Sequence, residues 1–187
     1  MPPGTIYLWW IGEAVVRNRL LEDVRGHVQR TFGGAADVWR SDERPGGVFD
    51  PARGQHSSTR ILRWLVGARP PEARKVLAIT DVDLFIPVLT FVYGEAQLDG
   101  VAAVVSMARL RVNHDGSAAR GRFVRVRLVK ECLHELGHTF GLVHCSDLRC
   151  VMARSISVFD VDVKRATLCP DCRARLRELE QRGGERS

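Results

Sequence analysis

The spacing of apolar residues changes along this chain, and each spacing predicts a different element. Residues 6–11 are aromatic and β-branched, which is typical of a strand. Residues 75–80 form a nearly continuous apolar run, which indicates a central strand covered on both faces. Apolar positions at helical intervals predict the helices between them. We therefore expect strands at 6–11, 36–39 and 75–80, helices at 13–32 and 57–66, and a loop at 41–55.

The alternation of strand and helix favours an α/β fold with a mixed, mainly parallel, twisted sheet. The second half of the chain adds two strands, a long helix and a less regular C-terminal part. The predicted elements there are strands 90–94 and 101–106, a helix over 122–141, an irregular stretch at 155–168 with a short helix, a polar helix over 171–182 and a tail without order from 183 to 187.

Length and composition indicate a single domain. The chain has 187 residues, of which 45% are apolar, and this is enough for one hydrophobic core. We divide it into an upper part, about residues 1–141, and a smaller C-terminal part, residues 142–187. No segment approaches the roughly 18 apolar residues of a membrane span, and residues 1–4 lack a secretory pattern. We expect a cytoplasmic monomer without membrane contact.

The formal net charge of +6 raises the question of nucleic-acid binding. Three lysines and twenty-five arginines are spread along the chain, with no run of five like charges. This distribution argues against a dedicated nucleic-acid site. A basic cleft that favours acidic peptides is compatible with it.

One sequence, H-E-x-x-H-x-x-G-x-x-H, begins at His134. On a helix, His134 and His138 lie one turn apart on nearly the same face, so both can reach one ion. Glu135 lies beside that ion and outside its ligand shell, where a general base can take a proton from the attacking water. Gly141 lets the chain leave the helix, and His144 then supplies a third nitrogen. Three protein ligands leave a fourth position open, which indicates a catalytic zinc site of the metzincin type.

Four cysteines follow this motif. Cys145 and Cys150 are separated by four residues, and Cys169 and Cys172 form a C-x-x-C pair. Together they make a Cys₄ set, the closed arrangement of a structural zinc. Two disulfides or free thiols are the alternatives, and a reducing cytoplasm disfavours disulfides. We therefore expect two zinc ions per chain, with the second joining the exit of the motif to the C-terminal segment.

Two further residues near the motif have predicted places. Met152 is positioned to form the Met-turn, an apolar floor beneath the zinc histidines, and ordinary core packing is the alternative. Cys132 precedes His134 by two residues, about 200° round the same helix. We expect it to be a buried apolar residue and not a ligand.

The pattern from His134 to Cys172 resembles that of the archaemetzincins, zinc peptidases of the metzincin clan. Segments 49–55, 80–85 and 91–96 also resemble this family, so the similarity covers about residues 5–175. It implies a metzincin fold, a zinc cofactor and hydrolysis of peptides, with trimming of short peptides from the amino end as one form of that activity. In metzincins an edge strand above the zinc binds the substrate as an added strand. By this resemblance, 90–94 or 101–106 borders the cleft.

Tyr93 lies in the first of these segments. Its phenol could donate a hydrogen bond to the developing oxyanion, and a half-buried tyrosine in a strand is the alternative. A different class of function is a non-catalytic, zinc-stabilised module that binds peptides or proteins. Glu135 argues against it, because binding alone requires no base. A zinc-ribbon-like nucleic-acid binder is a third hypothesis, with salt-dependent affinity as its sign.

Overall fold

The computed structural model describes residues 4–16 and 18–184. Its strands are β1 (Thr5–Trp10), β2 (Ala36–Trp39), β3 (Phe49–Asp50), β4 (Gln55–Ser57), β5 (Ala73–Thr80), β6 (Leu84–Phe85), β7 (Gly94–Ala96) and β8 (Ala102–Ser106). Its helices are α1 (Asn18–Phe32), α2 (Ser58–Ala68), α3 (Gly121–Thr139), α4 (Val158–Val163) and α5 (Pro170–Gly184), with a 3₁₀ turn at Arg109–Arg111. Helix α5 includes the first two residues of the predicted tail, and the rest of that tail lies outside the described residues.

Five strands form the main sheet in the order β2-β1-β5-β8-β7. Strands β2, β1, β5 and β8 are parallel to one another, and β7 pairs antiparallel with β8 at one edge. A smaller sheet has the order β3-β4-β6. The predicted α/β class and the mainly parallel sheet are therefore confirmed.

The central strands divide their side chains between two hydrophobic cores, because successive residues of a strand point to opposite faces. Leu77 and Ile79 of β5 pack in the core that contains α1 and α3. Val76 and Ala78 pack in the core that contains α2. All four are fully buried, which explains why this strand shows no alternation of apolar and polar residues.

Helix α3 is enclosed by the protein over most of its length. Every residue from 127 to 137 is buried, including several polar ones. Just after the helix, the ring of Phe140 stacks on Phe32 of α1 with a centroid separation of 4.8 Å. The side chains of this helix are therefore held by packing on all sides.

Helix α1 begins later than the predicted residue 13. The Asp81 carboxylate accepts hydrogen bonds from the backbone N–H groups of Glu13 and Ala14, at 2.9 and 3.0 Å. These bonds hold the preceding segment in a loop at the carboxyl end of the sheet. Val15, predicted to lie on the apolar stripe, is fully exposed as a result.

Two other predicted boundaries are also wrong. The predicted loop at 41–55 contains β3 and the start of β4, which are joined by a turn in which Gly54 N–H donates to Asp50 O at 2.9 Å. The predicted strand at 90–94 is absent apart from one bridge between Val92 and Leu84, and the edge strand is β7, which starts at Gly94. Strand β8, at 101–106 in the prediction, lies inside the sheet between β5 and β7.

The remaining predicted elements agree with the structure within a few residues. Helix α4 is the short helix expected within 155–168, and it begins with a capping box between Ser157 and Asp160. Within residues 4–16 and 18–184, no helix has the length and apolar character needed to cross a bilayer.

Candidate active site

Helix α3 presents two histidines from its last turns. His134 is 4% exposed and His138 is half-buried. Nδ1 of His134 lies 2.8 Å from the carbonyl of Val151, and Nδ1 of His138 lies 2.7 Å from that of Leu142. Because a carbonyl oxygen only accepts, each Nδ1 must carry the proton. Each Nε2 therefore keeps a free lone pair, as a metal ligand requires.

A glycine turn brings the third histidine to the same place. Gly141 has a φ of +89°, in the left-handed region that residues with a Cβ seldom adopt. Its N–H donates to His138 O, and the N–H of Leu142 donates to Gly137 O, which together make a Schellman motif. The chain reverses here, and the ring of His144 comes to 5.0 Å from that of His138 and 5.3 Å from that of His134.

The three histidines fit one tetrahedral metal ion. Their ligand atoms all lie within 4.8 Å of one another, and the Nε2 atoms of His134 and His138 are 3.1 Å apart. Two nitrogens bound to one tetrahedral zinc are ~3.3 Å apart. Burial lowers the pKa of all three imidazoles, most strongly that of His134. The neutral, ligating form is thus the stable one at neutral pH.

Met152 lies directly against the ligand helix, under the histidines. It is fully buried, and a Cβ on Gly137 would collide with its sulfur. The amide of Cys145 donates to Met152 O at 3.0 Å, so the methionine is tied to the residue that follows His144. Met152 therefore packs against the helix between His134 and His138, and its Met-turn role stays a prediction.

Glu135 is buried between the ligand helix and the edge of the sheet. Its side chain fills the space beside Gly94, where a Cβ would stand 2.6 Å from its Cγ. Burial raises the pKa of Glu135, and the charge of Glu131 acts in the same direction. A bound divalent cation would oppose this shift. A carboxyl with these opposing influences can both take up and release a proton.

A buried ion pair, which the sequence analysis missed, lies behind the first ligand. Lys164 Nζ lies 3.1 Å from Glu131 Oε1, and both side chains are almost completely buried. The same Nζ is 3.5 Å from His134 Nδ1. Nearby, Lys130 Nζ donates to the carbonyls of Val161 and Asp162, each at 2.9 Å. The segment that ends α4 is therefore fixed to the helix face behind His134.

The four cysteines of the predicted second site come together at the start of α5. Their sulfurs all lie within 4.8 Å of one another, and Cys145 Sγ is 3.8 Å from Cys169 Sγ. Two thiolates on one tetrahedral zinc are ~3.8 Å apart, whereas a disulfide is about 2.0 Å long. Backbone N–H groups also donate to these sulfurs, and the one from Cys172 lowers the pKa of Cys169. The arrangement fits a zinc better than two disulfides.

The fifth cysteine, Cys132, lies apart from this group. It is fully buried in the core that contains α1 and α3. Burial raises the pKa of its thiol, so the neutral form is stable. It occupies the position of a small apolar side chain.

A cleft of about 450 Å³ opens beside the histidines. The segment that leads into β7 forms one wall, α3 forms the floor, and the segment after Met152 forms the other wall. The lining residues are Leu89–Gly94, Glu131, His134, Glu135, His144 and Arg154–Ile156. His144 is exposed on the open side. Tyr93 is 7% exposed, and burial raises its pKa to about 12, so its phenol remains protonated at neutral pH.

A fold of this kind with an H-E-x-x-H-x-x-G-x-x-H helix defines a zinc metallopeptidase. Residues 66–178 match the model of Peptidase family M54. The archaemetzincin of Methanocaldococcus jannaschii is 36% identical over 165 residues, covering 87% of this chain and 88% of that protein. That of Thermococcus kodakarensis is 46% identical over 136 residues, covering 71% and 73%.

Solved structures agree with these relatives. The crystal structure of the archaemetzincin from Methanopyrus kandleri matches with a TM-score of 0.85 and 32% identity, covering 95% of this chain and 96% of that one. The chain therefore belongs to Peptidase family M54, the archaemetzincins.

Proposed function

We propose that this chain hydrolyses peptide bonds at the histidine cluster, with Glu135 as general base. The observation that carries this proposal is the convergence of three imidazoles beside a buried carboxyl in an open cleft. The exposed position of His144 leaves one side of the cluster accessible to a substrate.

His134, His138 and His144 would hold a zinc ion. When bound, it supplies a Lewis acid and lowers the pKa of a coordinated water. The Cys₄ set, Cys145, Cys150, Cys169 and Cys172, would hold a second, structural zinc, giving two per chain. Met152 supports the rings from below by packing against Gly137.

Glu135 has two successive tasks in this proposal. It accepts a proton from the attacking water, and it then delivers that proton to the leaving amine. Its close contact with Gly94 of β7 supports this role, because β7 is the strand at which the peptide would lie. Among the described residues no strand pairs with the outer edge of β7, so an extended peptide can add there by main-chain hydrogen bonds.

The finer features of the activity rest on size and chemistry. A cleft of about 450 Å³ suits short peptides, which is compatible with trimming from the amino end. Tyr93, held neutral by burial, is the proposed donor to the oxyanion. We further propose a cytoplasmic monomer, supported for the location by five cysteines that form no disulfide.

An unbiased peptide library, digested with and without a chelator and analysed by mass spectrometry, tests the proposal. We expect cleavage that the chelator abolishes and that Glu135→Gln loses. Products that have lost single residues from the amino end would support the aminopeptidase preference. Internal cuts would exclude it. If wild-type protein cleaves nothing yet binds peptides and retains zinc, the non-catalytic module becomes the better description.

A further inference from the structure

Acidic and basic side chains that line the active-site cleft differ in exposure and pairing. Apart from histidine they are Glu131, Glu135 and Arg154. Glu131 is neutralised by its buried ion pair with Lys164. Glu135 is buried and assigned to proton transfer. Among the described residues that line the cleft, Arg154 is therefore the one exposed charge, and it is positive.

Arg154 has no counter-ion among the described residues, in contrast to Arg109 and Arg127. Arg109 is paired with Asp83 at 2.8 Å, and Arg127 with Asp162 at 2.7 Å. No carboxylate of residues 4–16 or 18–184 lies within ion-pair distance of Arg154. A guanidinium has a planar set of donors that matches a carboxylate with two parallel hydrogen bonds. That capacity is unused here.

The backbone on either side of Arg154 is anchored. The preceding residue, Ala153, donates its N–H to Cys150 O at 3.0 Å and bridges to Cys145. Three residues later the capping box at Ser157 starts α4. These contacts fix the backbone of Arg154 beside the cleft, and its side chain extends from that fixed point.

Arg154 shares the cleft with the histidine cluster. His134, His144 and Arg154 all line it, and both His144 and Arg154 are exposed. A peptide held at His144 therefore occupies the same cleft as the guanidinium.

We propose that Arg154 selects peptides that carry a carboxylate near the scissile bond, either an acidic side chain or the terminal carboxylate of a short peptide. This specificity rests on the proposed peptidase function, because it concerns substrates of the same cleft. The bond formed is a charge-assisted hydrogen bond at the cleft wall, which orients the peptide and adds affinity.

The experiment uses two pairs of peptides taken from a library sequence that the protein cleaves or, if nothing is cleaved, that it binds. One pair differs by Glu or Gln next to the cut (at the central position of an uncut peptide), and the other by a free or amidated C-terminus. In wild-type protein we expect about a tenfold preference for the acidic member of at least one pair, the effect of one charge-assisted hydrogen bond. The pair that shows the preference identifies the source of the carboxylate.

Arg154→Glu tests the residue, and Arg177→Glu is the matched control. Arg177 is exposed on α5, outside the cleft, and the substitution changes the net charge equally. We expect the preference to disappear or reverse in Arg154→Glu and to remain in Arg177→Glu. Equal cleavage within both pairs by the wild type, or an unchanged preference in Arg154→Glu, would overturn the proposal.

A binding measurement separates this proposal from the peptidase function. The affinity of Glu135→Gln protein for the same peptides is measured by calorimetry, with and without Arg154→Glu. Acid-selective binding that depends on Arg154, without cleavage by the wild type, would support the carboxylate anchor and reject the peptidase. Cleavage without acid-selective binding would support the peptidase function and reject the carboxylate anchor.

Discussion

The histidine cluster and the cysteine cluster are joined by the single peptide bond between His144 and Cys145, yet they differ in every property that matters for chemistry. The histidines offer three ligand atoms, and one of these rings is exposed beside a cleft. The cysteines offer four, none of which is exposed. An ion with three protein ligands can accept a substrate, whereas four thiolates complete a tetrahedron. In the proposed function, the histidine cluster therefore performs catalysis and the cysteine cluster supports the fold.

The largest expected effect follows from removing two thiolates. Cys169→Ala/Cys172→Ala leaves Cys145 and Cys150 unable to close a tetrahedral site. We expect one zinc fewer per chain and a fall in unfolding free energy of several kcal/mol, since structural zinc binding contributes roughly 10 kcal/mol to folding. Denaturant unfolding with metal analysis measures both. Unchanged zinc content would show that the cysteines hold no ion.

Glu135→Gln, at the histidine cluster, should lower activity and leave zinc content and stability unchanged. The amide is close in size but cannot accept the proton, so kcat/KM should fall about 10²–10⁴-fold. Both zinc ions and the stability should be retained, because Glu135 lies outside the ligand set. Activity at the wild-type level would remove Glu135 from the mechanism.

Lys164→Met tests how the histidine cluster is supported. The substitution leaves Glu131 buried without its partner, and we expect a loss of about 3 kcal/mol in unfolding free energy. The double variant Lys164→Met/Glu131→Gln should recover part of that loss, since no unpaired charge remains. Urea unfolding of the wild type, Lys164→Met, Glu131→Gln and the double variant completes a double-mutant cycle. A double variant less stable than Lys164→Met would contradict this account.

The smallest effect concerns the end of helix α3. Lys75 Nζ donates to Thr139 O and Gly100 O, each at 2.6 Å, and burial lowers its pKa to about 8. In the unfolded chain Lys75 has its ordinary, higher pKa and binds its proton more tightly. The contribution of Lys75 to the unfolding free energy therefore rises as pH increases from 8 toward 10. Lys75→Met should lack this rise in unfolding experiments across that range, and equal slopes would refute the assignment.

The spacing of residues in the sequence predicted those features whose geometry is set by residues close together in the chain. The i, i+4 histidines and the C-x-x-C pair lie where local geometry places them, and the structure brings each set together. The central strand was recognisable because burial on both faces leaves a continuous apolar run.

Features that depend on distant residues were not predictable in this way. Helix α1 starts late because Asp81, 68 residues away, binds the backbone of Glu13. Strands β3 and β4 are two and three residues long, too short for a periodic pattern. The Lys164–Glu131 pair joins residues 33 apart, and charged side chains give no signal of burial in a sequence.

Native mass spectrometry of the purified chain tests the division between the two clusters most directly, by counting zinc ions. The account predicts two per wild-type chain, one in His134→Ala/His138→Ala, and one in Cys169→Ala/Cys172→Ala. A single zinc in the wild type that persists in the histidine variant would contradict it.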